Sequence, residues 1–438
     1  MKSILETRAD LAVGKITSLE LVETALENAQ KQTDTNIFAY LAADQARAAA
    51  KAADAQPTSG ALHGIPITVK DLFNVAQMPT KGGTRANLPV EFQNPNRHAA
   101  AVQNLIEAGA IILGKVNMHE IALGITGENF ATGDVKNPLD STRQAGGSSS
   151  GSAAAVALGV GLASLGSDTG GSVRIPASFC GIVGFKPTFG WIPLDGALNL
   201  STTCDHAGIL SNSVTDAHTM LEVLAHRNLP LRHLNNLAGI RLGVPRHWLE
   251  GRLGDSVRTD FEAKLEQFKK AGATIIDVQP EHLDLASGCY STIVRAEAAF
   301  VHRLALESEP QSFSVNILPA LEAGRQTTVS AYLQARTERR LVRSGLENTL
   351  HQIDALVLPT APLAAPIRGT QEVLLESGIK THRDAFIELT LPFSLVGLPT
   401  LSVPFTSESG LPVGLQIVAA RGDDSTALEL GWWLERQA

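Results

Sequence analysis

Short apolar segments that alternate with helical patterns constrain the fold of this chain more than any other feature. The segment "GIPITVKDLF" alternates, with Ile65, Ile67 and Val69 on one side, which indicates a strand that ends near Lys70. The segment "AAAVQNLIEAGAIILGKVN" has a helical pattern, a glycine turn and an apolar strand, and "GSAAAVALGVGLASLGSD" repeats that order. We therefore predict an α/β fold: a single large domain with a mixed, mostly parallel β-sheet covered by helices on both faces.

The same patterns predict three regions within one domain that spans all 438 residues. N-terminal helices occupy about residues 1–55, where Thr17 and Glu20 have capping-box spacing and "FAYLAADQARAAAKAADA" indicates a second, alanine-rich helix. A central core covers about residues 60–225. A more variable region at about 286–378 is predicted to form a lid or a pocket. The segments "DALVLPT", "PTLSVPF" and "GLQIVAA" indicate further short strands towards the C-terminus.

Charge and composition exclude several classes of function. The chain has a formal net charge of −8, only 5% aromatic residues and no basic stripe, so no nucleic-acid ligand is expected. Its three cysteines are far apart, which fits a reducing cytoplasm better than a disulfide framework. The N-terminus carries charges throughout, unlike a secretory signal. The longest apolar stretch, Ala153 to Leu165, is interrupted and too short to span a bilayer, so no membrane contact is expected.

The segment "GSDTGGSVRIP", residues 166–176, places a serine on a predicted tight turn. Gly170 and Gly171 lack Cβ atoms, so the backbone can turn sharply and another molecule can approach closely beside Ser172. Pro176 suits a first helical turn, where unpaired N–H groups are expected. Such a serine can be a nucleophile beside an oxyanion hole, and the alternative is an ordinary solvent loop.

A second Gly/Ser-rich segment, "GGSSSGS" at residues 146–152, allows three interpretations. Its composition is that of a flexible linker, but it leads into an alanine-rich helix, where clustered N–H and hydroxyl groups can form a site. It also contains Gly147-Ser-Ser149-Ser-Gly151, the G-x-S-x-G pattern of a nucleophile elbow, which needs an acid and a histidine downstream. The residues available for those roles, none in a recognisable context, are Asp205, His302, His351 and His382.

Two other motifs carry no function. The segment "GAIILGK", residues 109–115, begins like a P-loop, but Val116 stands where serine or threonine is needed and the middle is a predicted strand. His119-Glu120 has no second histidine at helical spacing, so no zinc site is predicted.

Lys70 at the end of its predicted strand has two interpretations. A lysine there usually extends its amine to solvent or caps the strand. The alternative is a buried, neutral amine that acts as a base, which requires its pKa to fall by about 3 units from ~10.4. Burial beside apolar residues and hydroxyls can produce that shift, and lysine-activated serine nucleophiles are a known solution to acyl transfer.

Taken together, these segments resemble the amidase signature family. The closest resemblance lies in "GGSSSGSAAAVALGVGLASLGSDTGGSVRIPASFCGIVGFKP", residues 146–187. The segments "LHGIPITVKDLF", "AGAIILGKVNMHEIALG", "NPLD", "TCDHAGILSNSVTDA" and "DALVLPTAP" resemble the same family. The resemblance covers roughly residues 1–225 and returns from about 330 to the end. It implies the amidase signature fold, with a catalytic core at about 60–225.

The resemblance also implies a Ser–Ser–Lys triad that cleaves amides through an acyl-enzyme. By motif, Lys70 is the base, Ser148 is the bridging serine and Ser172 is the nucleophile, so the elbow-like Ser149 is not the nucleophile. The implied oxyanion hole consists of the backbone N–H groups of Thr169, Gly170, Gly171 and Ser172. The residues expected to support the site are Ser149, Asp168 and Arg174. The resemblance further implies a cis peptide bond before Ser148, and neither a metal nor a cofactor.

The substrate is left open at this point. The implied activity is that of an amidohydrolase, which cleaves the C–N bond of a small-molecule amide and releases ammonia or an amine. The alternatives are the glutaminase-type A subunit of a tRNA-dependent amidotransferase, a ureido or carbamate (carboxybiuret-type) hydrolase, and an inactive scaffold or binding subunit. The candidates for recognising an acid group are Arg174, His206, Arg325, His382 and Arg383. A homodimer is the default assembly, and a small partner subunit is the further partner considered.

Overall fold

The main β-sheet has eleven strands in the part of the chain that the structure describes, residues 2–93, 95–407 and 410–437 of a computed structural model. A two-stranded hairpin lies outside this sheet. The strands are β1 (Phe38–Leu41), β2 (Pro66–Lys70), β3 (Ile111–Val116), β4 (Ala163–Asp168), β5 (Val183–Lys186), β6 (His206–Ser211), β7 (Arg241–Val244), β8 (Thr274–Asp277), β9 (Ala355–Pro359), β10 (Glu372–Leu375), β11 (Gly378–Thr381), β12 (Thr400–Thr406) and β13 (Pro412–Val418). The order across the main sheet is β1-β3-β2-β4-β6-β5-β12-β13-β9-β7-β8, and β10 pairs with β11.

Helices flank the sheet throughout the described ranges. The α-helices are α1 (Ile4–Ala12), α2 (Ser18–Lys31), α3 (Ala43–Asp54), α4 (Val90–Gln93), α5 (Ala100–Glu107), α6 (Ser150–Ala157), α7 (Arg174–Cys180), α8 (Val214–Ala225), α9 (Arg246–Leu249), α10 (Asp255–Lys270), α11 (Ala286–Val301), α12 (Arg303–Ser308), α13 (Leu318–Arg325), α14 (Val329–Leu350), α15 (His382–Ile387), α16 (Leu391–Val396) and α17 (Asp424–Glu435). Short 3₁₀ helices cover Thr33–Thr35, Glu120–Ala122, Leu283–Leu285 and Pro310–Ser312. No helix in the described ranges is both long and apolar enough to cross a membrane.

The pairing of the main sheet is mixed, as predicted. The parallel pairs β3–β2, β2–β4, β9–β7 and β7–β8 lie towards the two ends of the sheet. The middle, from β4 to β9, is antiparallel, and so is the edge pair β1–β3. The predicted single α/β domain with a helix-flanked mixed sheet is confirmed, whereas parallel pairing does not extend through the middle. One reason is that β12 and β13 follow each other closely in the chain, and a connection that short joins antiparallel neighbours.

The N-terminal region differs from its prediction at one point. The capping box of α2 forms, because Thr17 Oγ1 accepts from the Glu20 N–H at 3.1 Å and Glu20 accepts from the Thr17 N–H at 2.8 Å. The alanine-rich helix, however, begins only at Ala43, and the preceding "FAYL" is the edge strand β1. Pairing of Phe38 with Val116 of β3 overrides the helical pattern that the following alanines suggest.

Two parallel strands bring the predicted site residues to one edge of the sheet. Strands β2 and β4 are neighbours, with Val69 in register with Leu165. All side chains of both strands are buried, which is typical of parallel strands covered on both faces. Their carboxyl ends therefore lie side by side, so that Lys70 ends β2 where Asp168 ends β4. This edge of the sheet is the expected position of a site in an α/β fold.

Candidate active site

The amine of Lys70 lies in a fully buried cluster of serine hydroxyls. Its Nζ is 2.7 Å from Ser148 Oγ, 3.0 Å from Ser149 Oγ and 2.9 Å from Ser167 Oγ. Ser148 and Ser149 immediately precede helix α6, and the Gly147–Ser148 peptide bond is cis. The structure therefore brings together Lys70 and both serines that the sequence analysis singled out in the "GGSSSGS" segment.

Burial sets the protonation of this lysine. Desolvation lowers the pKa of Lys70 to about 7, although the carboxylates of Asp168 and Asp205 oppose the shift. The three groups that touch the amine are uncharged hydroxyls, so no contact repays the cost of burying an ammonium ion. A large fraction of Lys70 is consequently neutral near pH 7, where its nitrogen can accept a proton.

Hydrogen-bond geometry distinguishes the three serines. The Ser149 hydroxyl donates to the Ser167 carbonyl at 3.0 Å, and its oxygen accepts from the Ser167 N–H at 3.3 Å. Because a hydroxyl has one hydrogen, Ser149 can only accept from Lys70. The hydroxyls of Ser148 and Ser167 donate to no acceptor within the described structure. A neutral Lys70 can therefore take a proton from Ser148 or Ser167, and not from Ser149.

Gly170 and Gly171, before Ser172, leave space for side chains from other parts of the protein. A Cβ on Gly170 would lie 2.4 Å from the hydroxyl of Tyr290, and a Cβ on Gly171 would lie 2.2 Å from Oγ1 of Thr390. Gly171 also has φ +136°, which side-chain-bearing residues rarely adopt. The predicted close approach is thus made by Tyr290 of α11 and by Thr390, which precedes α16, both far from Ser172 in sequence.

Unpaired backbone N–H groups surround Ser172. Within the described residues, the N–H groups of Thr169, Gly170 and Ser172 donate to no protein acceptor. Buried N–H groups without a partner are rare, and three of them in four consecutive residues can bind an anionic oxygen. Gly171 differs from its prediction because its N–H donates to Asp168 Oδ1 at 2.7 Å. That bond leaves three of the four predicted donors available.

An ion pair between Asp168 and Arg174 holds this turn. Arg174 donates to Asp168 Oδ2 at 3.0 Å and Oδ1 at 2.9 Å, and both side chains are fully buried. Burial alone raises the pKa of Asp168, but the guanidinium of Arg174 reverses the shift and holds that pKa well below its ordinary value. Asp168 also accepts from the N–H groups of Gly171 and Val173. The pair therefore fixes the backbone on both sides of Ser172.

Arg174 also links the turn to the C-terminal part of the chain. Its Nη1 donates to the Thr390 carbonyl at 3.0 Å and to Gln416 Oε1 at 2.6 Å, and its Nη2 donates to Ser394 Oγ at 2.5 Å. All of its donor directions are used inside the protein. Arg174 is thus unavailable for recognising a substrate acid group, which the sequence analysis had considered.

The other end of the turn is held by Asp205. The Thr169 hydroxyl donates to Asp205 Oδ1 at 2.6 Å, and Asp205 Oδ2 accepts from the N–H groups of Leu200 and Ser201. Burial raises the pKa of Asp205 to about 6. Asp205 therefore has a place near the site, as a partner of Thr169 and not as the acid of a histidine-containing triad.

Several other sequence candidates lie elsewhere or are already engaged. His206 Nδ1 contacts the Cys204 carbonyl at 2.8 Å, Arg325 pairs with Glu322, and Arg383 is 3.5 Å from Asp384. The buried strand β3 runs through the P-loop-like segment, where Lys115 pairs with Asp71 at 3.1 Å.

Ser167 and Tyr290 were not predicted from the sequence. Ser167 had a signal that was available, because it lies one residue before Asp168 at the end of the strand parallel to β2. Tyr290 had none, since it comes from a helix more than a hundred residues further along the chain.

Comparison with known proteins identifies the family of this chain. The family model for amidases matches residues 20–428. A solved amidase crystal structure is 50% identical in sequence and superposes with a TM-score of 0.96. The match covers 100% of this chain and 100% of that structure's chain. The A subunit of the glutamyl-tRNA(Gln) amidotransferase of Anaeromyxobacter dehalogenans is 36% identical over 99% of this chain and 95% of its own length. A structure from a vestigial protein complex related to the origin of an s-triazine catabolic enzyme is 30% identical, with a TM-score of 0.92 and coverage of 100% and 99%.

The fold and the comparisons define an amidase. The chain belongs to the amidase signature family. It is an enzyme that hydrolyses amide C–N bonds.

Proposed function

We propose that the protein cleaves an amide through an acyl-enzyme on Ser172, with Ser148 as the bridging serine and Lys70 as the base. Neutral Lys70 takes the hydroxyl proton of Ser148 while Ser148 takes that of Ser172. The Ser172 oxygen then bonds to the amide carbonyl carbon, and the carbonyl oxygen becomes an oxyanion. As the C–N bond breaks, the proton returns through Ser148 to the nitrogen, which leaves as ammonia or an amine. Water then hydrolyses the ester on Ser172.

The observation that carries the proposal is the buried Lys70 amine with three hydroxyls around it. Its pKa of about 7 supplies a base at neutral pH, and the 2.7 Å contact with Ser148 supplies a path for the proton. The Ser149 hydroxyl already donates to the Ser167 carbonyl, whereas the Ser148 hydroxyl donates to no described acceptor. This difference supports Ser148 as the serine that passes its proton to Lys70.

The proposed oxyanion hole consists of the N–H groups of Thr169, Gly170 and Ser172. They have no protein acceptor among the described residues, and the Thr169 hydroxyl bond to Asp205 fixes the first of them. In other acyl-transfer enzymes the loss of one such donor raises the barrier by about 3–4 kcal/mol. Gly171 is left out of this set because its N–H donates to Asp168.

A fluorophosphonate probe tests which serine is the nucleophile. We expect the purified protein to be labelled at Ser172, with the adduct located by peptide mass spectrometry. Ser172→Ala is expected to abolish labelling, whereas Ser149→Ala should still be labelled at Ser172. An adduct at Ser149 would instead establish an elbow-type nucleophile and contradict the proposal. A folded protein that hydrolyses no amide or ester in a broad panel would favour the scaffold alternative.

The pH profile of kcat/KM should rise through the pKa of Lys70. The neutral amine is the active form, so activity falls about tenfold per pH unit below pH 7 and reaches a plateau above it. Asp205, whose pKa is about 6, also titrates nearby. The matched variant Asp205→Asn removes that group, and its acid limb should persist but move below pH 7, because the Asp205 carboxylate no longer raises the pKa of Lys70. A rate that is flat from pH 6 to 8 would contradict Lys70 as the base.

The proposed substrates are small amides, and the relatives keep two narrower classes open. The chain is 36% identical to the A subunit of an amidotransferase over almost all of both chains. This similarity favours a second candidate function, in which the protein hydrolyses glutamine together with a partner subunit. A ureido or carbamate substrate, which the sequence resemblance left open, is the third candidate beside a relative linked to an s-triazine catabolic enzyme. Ammonia release from glutamine, from simple amides and from ureido acids distinguishes the three. Esters are expected as side substrates because the same relay serves them.

The proposed compartment is a reducing cytoplasm. This proposal is supported by the three cysteines Cys180, Cys204 and Cys289, because all of them are buried and free.

A further inference from the structure

Arginines on one face of helix α14 line a pocket whose lining includes neither Lys70 nor the serines around it. Arg336, Arg339, Arg340 and Arg343 recur at the three- and four-residue spacings that place side chains on one helical face. Arg421, just before α17, completes the lining. The pocket has a volume of about 710 Å³ and also contains the side chains of Thr202 and Thr203 and the apolar Phe189 and Leu333. This concentration of positive charge is unexpected in a chain with a net charge of −8.

The arginines of this pocket form no ion pair with a carboxylate in the part of the chain that the structure describes. Among the described residues, no carboxylate lies within 4.0 Å of any of its five guanidinium groups. Other arginines of the chain do have acidic partners, as Arg246 has Asp277 and Arg252 has Glu388, both at 2.8 Å. Glu297, near the pocket, is already used by Thr203 and by the Tyr332 hydroxyl.

Individual donors in the pocket also lack partners. The Nε atoms of Arg339 and Arg343 are buried without a hydrogen-bond acceptor. Burial lowers the pKa of Arg343, and the positive charges of Arg339 and Arg421 lower it further, against a smaller opposing effect of Glu347. The pocket is therefore a place where a bound anion relieves repulsion and satisfies donors at the same time.

We propose that this arginine pocket binds a small molecule that carries at least two phosphate or carboxylate groups. Guanidinium groups match both kinds of oxygen pair in a fork-like geometry. Several arginines around one cavity require more than one anionic group to balance them. The volume is that of a small-molecule site, and the positive surface is concave and local, unlike the extended stripe that binds a nucleic acid.

The ligand-binding arginines of this proposal are Arg336, Arg340, Arg343 and Arg421. Arg339 has a different task, because its Nη2 donates to the Thr203 carbonyl at 2.7 Å and its Nη1 to Thr203 Oγ1 at 3.1 Å. Thr203 lies two residues before Asp205, which binds Thr169. Arg339 is therefore kept intact in the test, so that the catalytic turn is not disturbed.

Calorimetric titration with pyrophosphate and with citrate tests the pocket directly, without an activity assay. We expect both probes to bind at submillimolar concentration, acetate to bind at least tenfold more weakly, and affinity to fall as salt rises. The double variant Arg336→Gln/Arg340→Gln removes two exposed charges and should weaken pyrophosphate binding at least tenfold. The control variant is Arg436→Gln, which removes one exposed arginine just after the C-terminal end of α17. It should leave pyrophosphate binding unchanged.

Chemical modification provides an independent measurement. Phenylglyoxal should modify Arg336 and Arg340, and pyrophosphate should protect them while Arg436 remains reactive. The proposal is overturned by absent binding of both probes at millimolar concentration, by equal binding to wild type and double variant, or by binding of an RNA oligonucleotide but neither small probe. Each of these readouts is independent of the Ser172 reaction.

Discussion

Lys70→Met is expected to lower kcat/KM by about 10⁴-fold or more while the protein remains folded. Methionine is similar in length to lysine and is apolar, so it occupies the same buried channel without requiring a proton or a charge. It cannot accept the proton of Ser148, and removal of the base from a nucleophilic triad costs rate on this scale. The measurement is steady-state hydrolysis of the best amide, together with the rate of fluorophosphonate labelling.

A matched control exists within the same sheet. Lys186 at the end of β5 is equally buried, and burial lowers its pKa to about 7 as well, but its amine contacts the carbonyls of Pro187 and Leu398. Lys186→Met therefore changes the same residue type at the same burial without touching the serine cluster, and it should keep at least a tenth of the activity. Return of activity to Lys70→Ala on addition of a small primary amine would strengthen the assignment. A Lys70→Met enzyme that retains more than a tenth of wild-type activity would eliminate Lys70 as the base.

The second large effect is expected on stability. Arg174→Met leaves the buried carboxylate of Asp168 without its counter-ion, and breaking a buried pair from one side lowers the free energy of unfolding by about 3–5 kcal/mol. The same change removes the donors to Thr390, Ser394 and Gln416. Urea-induced unfolding, followed by fluorescence and circular dichroism, measures the loss, and activity should disappear with it.

An exposed ion pair provides the comparison for this effect. Arg258 pairs with Glu376 at 3.0 Å, and both side chains are about half exposed or more. Arg258→Met should change the free energy of unfolding by about 0–1 kcal/mol, as surface pairs usually do. If Arg174→Met and Arg258→Met were equally stable, the Asp168–Arg174 pair would not hold the turn around Ser172.

Local patterns were sufficient to predict the main elements of the fold. The alternation in "GIPITVKDLF" and the apolar run after the glycine turn correctly placed β2 and β3, and with them Lys70 at a strand end. The edge strand β1 was missed because its four residues have no strong pattern of their own, and its pairing partner β3 lies more than 70 residues away. The antiparallel middle of the sheet was missed because strand order does not follow chain order.

The candidate site was predictable where its chemistry lies in continuous motifs. The resemblance identified Lys70, Ser148 and Ser172 from short segments, and the structure brings the first two into contact. Side chains that arrive from distant helices left no local signal. The engagement of the Gly171 N–H by Asp168 likewise depends on a side-chain direction that the segment "SDTGGSV" does not specify. The arginines of α14 lie in the variable region at about 286–378, for which the sequence predicted only a lid or a pocket.

The wide sequence separation of the Arg174 contacts has a consequence for biosynthesis. A ribosome delivers Asp168 and Arg174 almost together, but Thr390, Ser394 and Gln416 emerge 216, 220 and 242 residues after Arg174. Strands β12 and β13, which separate β5 from β9 in the main sheet, also follow every other described strand along the chain. A nascent chain can therefore contain Lys70 and every serine of the site while the turn around Ser172 still lacks its final anchor. Hydrolytic competence should be acquired only after Gln416 has emerged, so that chains terminated before this residue cannot act on cellular amides.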